Sequence, residues 1–230
     1  MKNLLIYINP NKKFSEEYDE LTKIQIDNSL ELGWKPKDIV LVTNFDYQYR
    51  GIKSIVIGDY SYFDDNRSTK IPAILELFKK NLIEEGTVYW FHDHDAFQLI
   101  PFEVDLDTDA RFTVFQNPQI WNAGSFFFKK SAEGIFADIW HYMIERETNE
   151  QDALTYMWQN NVNEIKNRYR LINIAYNMGI YNIQHNLDKA DFPIIVAHFH
   201  PHRKRHMDLY TSRNILPERL LKIFQKYRLY

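Results

Sequence analysis

Asp93 and Asp95 stand two residues apart at the end of the apolar, aromatic run Val88-Tyr89-Trp90-Phe91. In an extended chain side chains alternate, so both carboxylates are expected on one side. Neighbouring carboxylates repel unless a proton or a cation lies between them. A divalent metal is the simplest such cation, and a metal held this way most often handles phosphate oxygens. As a bare pattern D-x-D also describes many surface loops, but the apolar strand before it points to a site. His92 and His94 fall on the opposite alternation, where packing or hydrogen bonding is their expected role.

Three further clusters carry polar chemistry. Asn122-Ala123-Gly124 places a glycine beside a small residue and an amide, which lets backbone come close to a ligand; an ordinary hairpin turn reads the same way. Asn149-Glu150-Gln151-Asp152 opens a helix, where carboxylates are favoured by the dipole. A Gln or Asp facing a ligand there would orient a hydroxyl or stabilise positive charge. The strand Ile194–Ala197 runs into His198, His200, His202, Arg203 and Lys204. A neutral His198 imidazole would complete a metal site begun by Asp93 and Asp95, and Arg203 and Lys204 would hold phosphates.

The elements around these clusters alternate. Lys2–Asn9 reads as a strand buried on both faces. Phe14–Leu32 is helical in period, with Ser15 as N-cap and Gly33 beyond its end. Asp38–Thr43 and Ile52–Ile57 are strands, and Pro72 lies in the first turn of a helix that reaches about Leu82. The strand ending at Asp93 follows. Trp121–Ser125 reads as a turn and Phe126–Lys129 as a strand. Ala132–Ile144 and Glu150–Gln159 read as helices, the second capped by Asn149. Arg170–Tyr176 and Tyr181–Gln184 read as strands, and Ile215–Tyr227 as a C-terminal helix with Pro217 in its first turn. The pattern predicts an α/β domain, a mostly parallel central sheet flanked by helices, with sites at the C-terminal ends of strands.

A chain of 230 residues, 45% hydrophobic, suffices for one such domain with a substantial core. No run of 18 apolar residues is present, so no membrane span is expected. The absence of cysteine excludes disulfides and zinc-thiolate sites and fits a cytoplasmic protein. Between Arg203 and Tyr230 eight Lys/Arg face two Asp/Glu, so that this stretch carries +6 and the remainder −9 of the net −3. A basic tail on an acidic body suggests an anionic partner, with a solvated amphipathic helix end as the alternative.

Taken together, D-x-D after a strand, N-x-G, a Q-D helix start and a late H-x-x-G-x-x-K resemble the motif order of metal-dependent glycosyltransferases of the GT-A fold. The resemblance is greatest to the retaining group that includes glycogenin and the lipopolysaccharide galactosyltransferases. It covers residues 1–205, with Asp93-His94-Asp95, Asn122-Ala123-Gly124, Gln151-Asp152 and His198 to Lys204 as the four motifs. It implies a GT-A (Rossmann-like) single domain: residues 1–100 the nucleotide-binding half, 101–205 the sugar and acceptor half, 206–230 a basic C-terminal helix.

The resemblance also implies a nucleotide-sugar donor, most simply a UDP-sugar, and Mn²⁺ or Mg²⁺ held by Asp93, Asp95 and His198. Lys204 would neutralise the diphosphate. Thr43-Asn44-Phe45 and Asp59 fall where the family holds the nucleobase and ribose. Lys70 would touch phosphate or nucleotide, and Asn122, Gln151 and Asp152 would surround the transferred sugar. One departure stands out: Pro201 occupies the glycine position of the last motif and has no N–H to offer a phosphate. The diphosphate would then be gripped by Arg203, Lys204 or His200, or would lie differently. The implied acceptor is a glycan or glycoconjugate. A modified DNA or a membrane lipid held by the basic C-terminal helix is an alternative, and so is a metal-dependent phosphoesterase built on the histidines and aspartates.

Overall fold

Leu4, Leu5, Ile6 and Tyr7 in succession leave no polar face, so a strand containing them must be covered on both sides. The computed structural model, which describes residues 1–58, 60, 69–114 and 121–229, shows this arrangement. Strand β1 is Lys2–Tyr7, followed by α1 (Glu16–Glu31), β2 (Ile39–Thr43), a small hairpin of β3 (Gln48–Tyr49) and β4 (Ile52–Lys53), β5 (Ile55–Val56) and α2 (Lys70–Lys79). Then come β6 (Tyr89–His92), β7 (Ala96–Gln98), β8 (Ala110–Val114), β9 (Trp121–Phe128), α3 (Glu133–Glu145) and α4 (Glu150–Asn160). The chain finishes with α5 (Ile165–Arg168), β10 (Tyr169–Leu171), β11 (Met178–Gly179), α6 (Ile180–His185), β12 (Val196–His198), α7 (Lys204–Ser212) and α8 (Glu218–Lys226).

Seven strands form the main sheet in the order β10-β8-β9-β6-β1-β2-β5. β1 pairs in parallel with β2 and β6, β2 with β5, and β10 with β8, while β9 runs antiparallel to both β6 and β8. Period two decides the layers. Leu4 and Ile6 face a core shared with α2, α3 and α4, whereas Leu5 faces Ile26 of α1. A second sheet, β11-β12-β7, packs beside α1, α7 and α8 around Phe97, Phe199 and Phe224.

Four sequence expectations change. Trp121–Ser125 is not a turn between strands but part of β9. Phe112 faces Phe126 while Thr113 faces Asn122, so Ala123, Gly124 and Ser125 have no counterpart on β8 and bulge from the ladder. Turn-forming residues are realised as a bulge inside a strand because β6 on the other side still pairs with Ser125. Arg170–Tyr176 keeps strand form only to Leu171, since the Asn173 side chain accepts from Ala175 N and starts a 3₁₀ turn. Tyr181–Gln184 is helical, with Ile180 and Ile183, three apart, turned to the same core. The basic C-terminus is two helices rather than one, and Pro217 caps α8 from outside.

α8 is not a free basic arm. Leu220, Ile223 and Phe224 bury against Leu21 and Ile24 of α1. Arg219 donates to Asn28 Oδ1 and to Leu99 O, and Lys226 pairs with Asp27. Two of the cations of α8 thus meet partners elsewhere in the chain. Among the described residues no helix is long and apolar enough to cross a membrane.

Candidate active site

The ends of β1 and β6 in the main sheet, the end of β12 in the smaller one and the bulge of β9 converge on one cavity. Asp93 follows β6 directly, and its N–H donates to Gly124 O at 2.9 Å. The chain does not stay extended here. Asp93 to Asp95 is a turn into β7, closed by Ala96 N donating to Asp93 O at 3.0 Å. The two carboxylates therefore meet because the backbone turns, not because of strand alternation. β12 brings His198 against them: Nε2 lies 3.3 Å from Asp95 Oδ1 and 4.0 Å from Asp93 Oδ2. One ligand-type atom from each of Asp93, Asp95 and His198 falls within 4.8 Å of the others.

Gly124 makes this approach possible. A Cβ there would stand 2.1 Å from His198 Cε1 and 2.4 Å from Nδ1. The imidazole occupies the space that any other side chain would fill, which is the physical reason for a glycine at this point.

Lys70, the first residue of α2, is buried and forms the floor of the site. Its Nζ donates to Asp93 Oδ1 at 2.7 Å and to Ala123 O at 3.3 Å, and lies 3.5 Å from Glu150 Oε1. Burial alone would lower its pKa, but Asp93 and Glu150 raise it, so it stays charged. Burial pushes the Glu150 carboxyl upward, against the opposing pull of Lys70. The Asp95 carboxyl is held well below its ordinary range: burial opposes this, and His198 and His200 overcome it. Burial would depress His198, yet Asp95 and Asp93 raise it. Three carboxylates crowd around one ammonium, a setting in which a divalent cation could take the place of the His198 proton. Two carboxylates and an imidazole are also a donor set suited to Mn²⁺ or Mg²⁺.

His92 is held within the core, and His94 packs among aromatic rings at the cavity wall. His92 is buried, stacks on Trp90 at 4.1 Å, and bonds Asn3 and the Asp93 carbonyl; burial takes its pKa down to about 3. His94 is edge-on to Tyr7, Phe14 and Tyr18, and burial lowers it to about 4.

A cavity of about 270 Å³ opens above these residues. Asn122 and Gln151 line it. Asn122 Oδ1 accepts from Gly124 N at 3.0 Å and Gln151 Oε1 from Ala123 N at 3.1 Å, so both amides also brace the bulge. Other expected residues are placed elsewhere. Asp152 is exposed and braces the Asn149 cap of α4, accepting from Asn149 Nδ2 at 2.9 Å and Thr148 Oγ1 at 3.2 Å. Its carboxylate serves the helix start and does not line the cavity. Thr43, Asn44 and Phe45 also stand outside the lining. Asn44 clasps the Asn9 backbone, accepting from its N–H at 3.1 Å and donating to its carbonyl at 2.8 Å. The Thr43 hydroxyl donates to Phe45 O, and Phe45 packs on Phe14. These residues tie the ends of β1 and β2 together. Arg203 and Lys204 begin α7, exposed, one turn beyond His200. Asp59 lies outside the described residues.

No family model matches the sequence, and no curated protein matches it. Solved structures do. The galactosyltransferase LgtC in complex with donor and acceptor sugar analogues superposes with a TM-score of 0.60 at 13% identity, covering 97% of this chain and 100% of that one. A glycosyltransferase involved in glycosylation of the major capsid of PBCV-1 gives 0.58 at 13%, covering 90% and 100%. The glycosyltransferase GlyE of Streptococcus pneumoniae TIGR4 gives 0.54 at 11%, covering 99% of this chain and 64% of that one.

The chain has the GT-A fold. Within this GT-A frame, several residues around the cavity carry no motif in the sequence. Ile6, Tyr7 and Ile8 line it from the end of β1, and Tyr18 from α1. The rule that parallel strands present ligands at their C-terminal ends applies to β1 as much as to β6, and would have found the first three. Tyr18 has no such signal, since it faces the cavity only because α1 packs back across the edge of the sheet. His200 also lines the cavity, 3.3 Å from Asp95 Oδ2.

Proposed function

We propose that the chain is a metal-dependent glycosyltransferase that moves a sugar from a nucleoside-diphosphate donor, a UDP-sugar, to a glycan or glycoconjugate acceptor with retention of configuration. The convergence of Asp93, Asp95 and His198 on a cavity at the strand ends carries this reading, and the GT-A neighbours, among them one solved with donor and acceptor sugar analogues, support it. Asp93, Asp95 and His198 would hold Mn²⁺ or Mg²⁺, which when bound supplies positive charge to the leaving diphosphate.

The protein's own groups do the rest. Lys70 fixes the Asp93 carboxylate and keeps a buried positive charge under the cavity. His200 offers an imidazole at the point where Pro201 has no N–H, and Lys204 and Arg203 provide cationic charge one turn further on. Tyr7 and Tyr18 give the cavity an aromatic wall suited to a nucleobase. Glycosyl transfer builds positive charge on the sugar ring, and preorganised oxygens facing it lower the barrier. Gln151 and Glu150 line the cavity and would supply such oxygens. Glu150 is paired with Lys70, which argues against a free general base and favours retention. The absence of cysteine supports a cytoplasmic setting.

The test is a screen of sugar nucleotides with Mn²⁺, reading release of free sugar without acceptor, alongside melting with UDP or GDP plus Mn²⁺. One donor should be hydrolysed and its nucleoside diphosphate should raise the melting temperature. The reading fails if no nucleoside diphosphate binds, or if hydrolysis persists undiminished in Asp93→Ala.

A further inference from the structure

His198 comes from the smaller sheet and must be aimed across the gap at carboxylates that belong to the larger one. Asn177 sits where the two meet. It precedes β11, which pairs with β12 so that Gly179 faces His198. Asn177 is fully buried, and its side chain is held at both ends. The Nδ2 group donates to Thr113 Oγ1 at 2.9 Å and to the Asn122 carbonyl at 3.4 Å. A backbone carbonyl only accepts, so the nitrogen end of the amide must face β8 and β9. The oxygen end then faces His198, with Oδ1 2.9 Å from Nδ1.

An amide oxygen cannot donate. Nδ1 must therefore carry the proton, which in the neutral ring leaves the lone pair on Nε2. Nε2 is the nitrogen turned toward Asp95 and Asp93. Gly124 lies close against the Cε1 and Nδ1 atoms of the ring and leaves no room for a shift toward β9.

We infer that Asn177 is a positioning residue: it selects the Nδ1–H tautomer of His198 and aims Nε2 at the carboxylates, so that cation affinity depends on a side chain that never touches the cation. The inference rests on the reading of Asp93, Asp95 and His198 as a cation site. Partners of this kind typically govern metal affinity by about 10–100-fold.

The experiment uses the full chain and Mn²⁺ alone, titrated by electron paramagnetic resonance, with ¹⁵N NMR of the neutral His198 ring as a second readout. Asn177→Ala should weaken Mn²⁺ binding by about 10–100-fold, and Asn177→Asp, which keeps an acceptor for Nδ1–H, should restore most of it. The wild-type ring should show its proton on Nδ1. A wild-type chain that binds no Mn²⁺ overturns the cation reading itself. Wild-type binding with equally tight binding by a folded Asn177→Ala overturns only the role of Asn177. Should Asn177→Ala not fold, the NMR decides, and a proton on Nε2 overturns the inference.

Discussion

Replacing Gly124 with alanine tests the geometry of the site with one methyl group. The new Cβ would lie 2.1 Å from His198 Cε1, whereas ordinary contact begins at 3.4 Å, so the ring must retreat by about 1.3 Å. It cannot do so and keep both of its bonds. Moving away from β9 either breaks the Nδ1 bond to Asn177 Oδ1 or carries Nε2 off the carboxylates. Metal–ligand distances tolerate only about ±0.2 Å, so the imidazole is lost as a ligand. Mn²⁺ affinity should fall by at least about tenfold, or about 1.4 kcal/mol. Stability should change less. Overpacking costs about 1–3 kcal/mol, partly offset by the reduced freedom of the unfolded chain, about 0.4–1 kcal/mol. The assay is Mn²⁺ titration and thermal melting of Gly124→Ala, His198→Ala and the double variant. If Gly124 acts only through His198, adding Gly124→Ala to His198→Ala changes affinity little. Wild-type affinity in Gly124→Ala, or an equal loss in the His198→Ala background, would refute the reasoning.

Two further outcomes follow from the structure. Asp27 accepts from Tyr49, Tyr227 and Arg50 and pairs with Lys226, joining α1, the β3–β4 hairpin and α8. Burial alone would raise its carboxyl, but Lys226, Tyr227 and Arg50 hold it below the ordinary value of 3.8. A depressed folded-state pKa gives stability that is present above the unfolded value and lost as pH falls through the folded one. Asp27→Asn should therefore cost about 1–3 kcal/mol in urea melts at neutral pH, a difference that shrinks as pH falls through and below the ordinary carboxylate range; a pH-independent difference contradicts the assignment. Asp152→Ala removes a first-turn carboxylate that braces the Asn149 cap and should cost about 0.3–1 kcal/mol of stability while leaving donor turnover near wild type. A collapse of turnover as deep as that of Asp95→Ala would put the Asp152 carboxylate in the chemistry after all.

The fold was largely legible because its signals are local. Buried strands such as Lys2–Tyr7, the Ser15-capped helix and the Asn149-capped helix announce themselves through period and caps. The misreadings occur where long-range pairing overrides local preference. Asn122-Ala123-Gly124-Ser125 carries turn chemistry but is fixed as a bulge between β6 and β8. The charges of α8 look like a free basic surface until Asp27, Asn28 and Leu99 are seen to receive them.

The candidate site divides in the same way. The sequence alone determined that two carboxylates end a buried strand and that a histidine ends another, because burial pattern and residue type are properties of a short stretch. Only the tertiary structure decided that Lys70 and Glu150 share the Asp93 pocket, that Asp152 turns to the Asn149 cap rather than the cavity, and that Gly124 and Asn177 shape the seat of His198. Those roles depend on distances between segments far apart in the chain, and such distances are set by how the two sheets pack rather than by any local pattern.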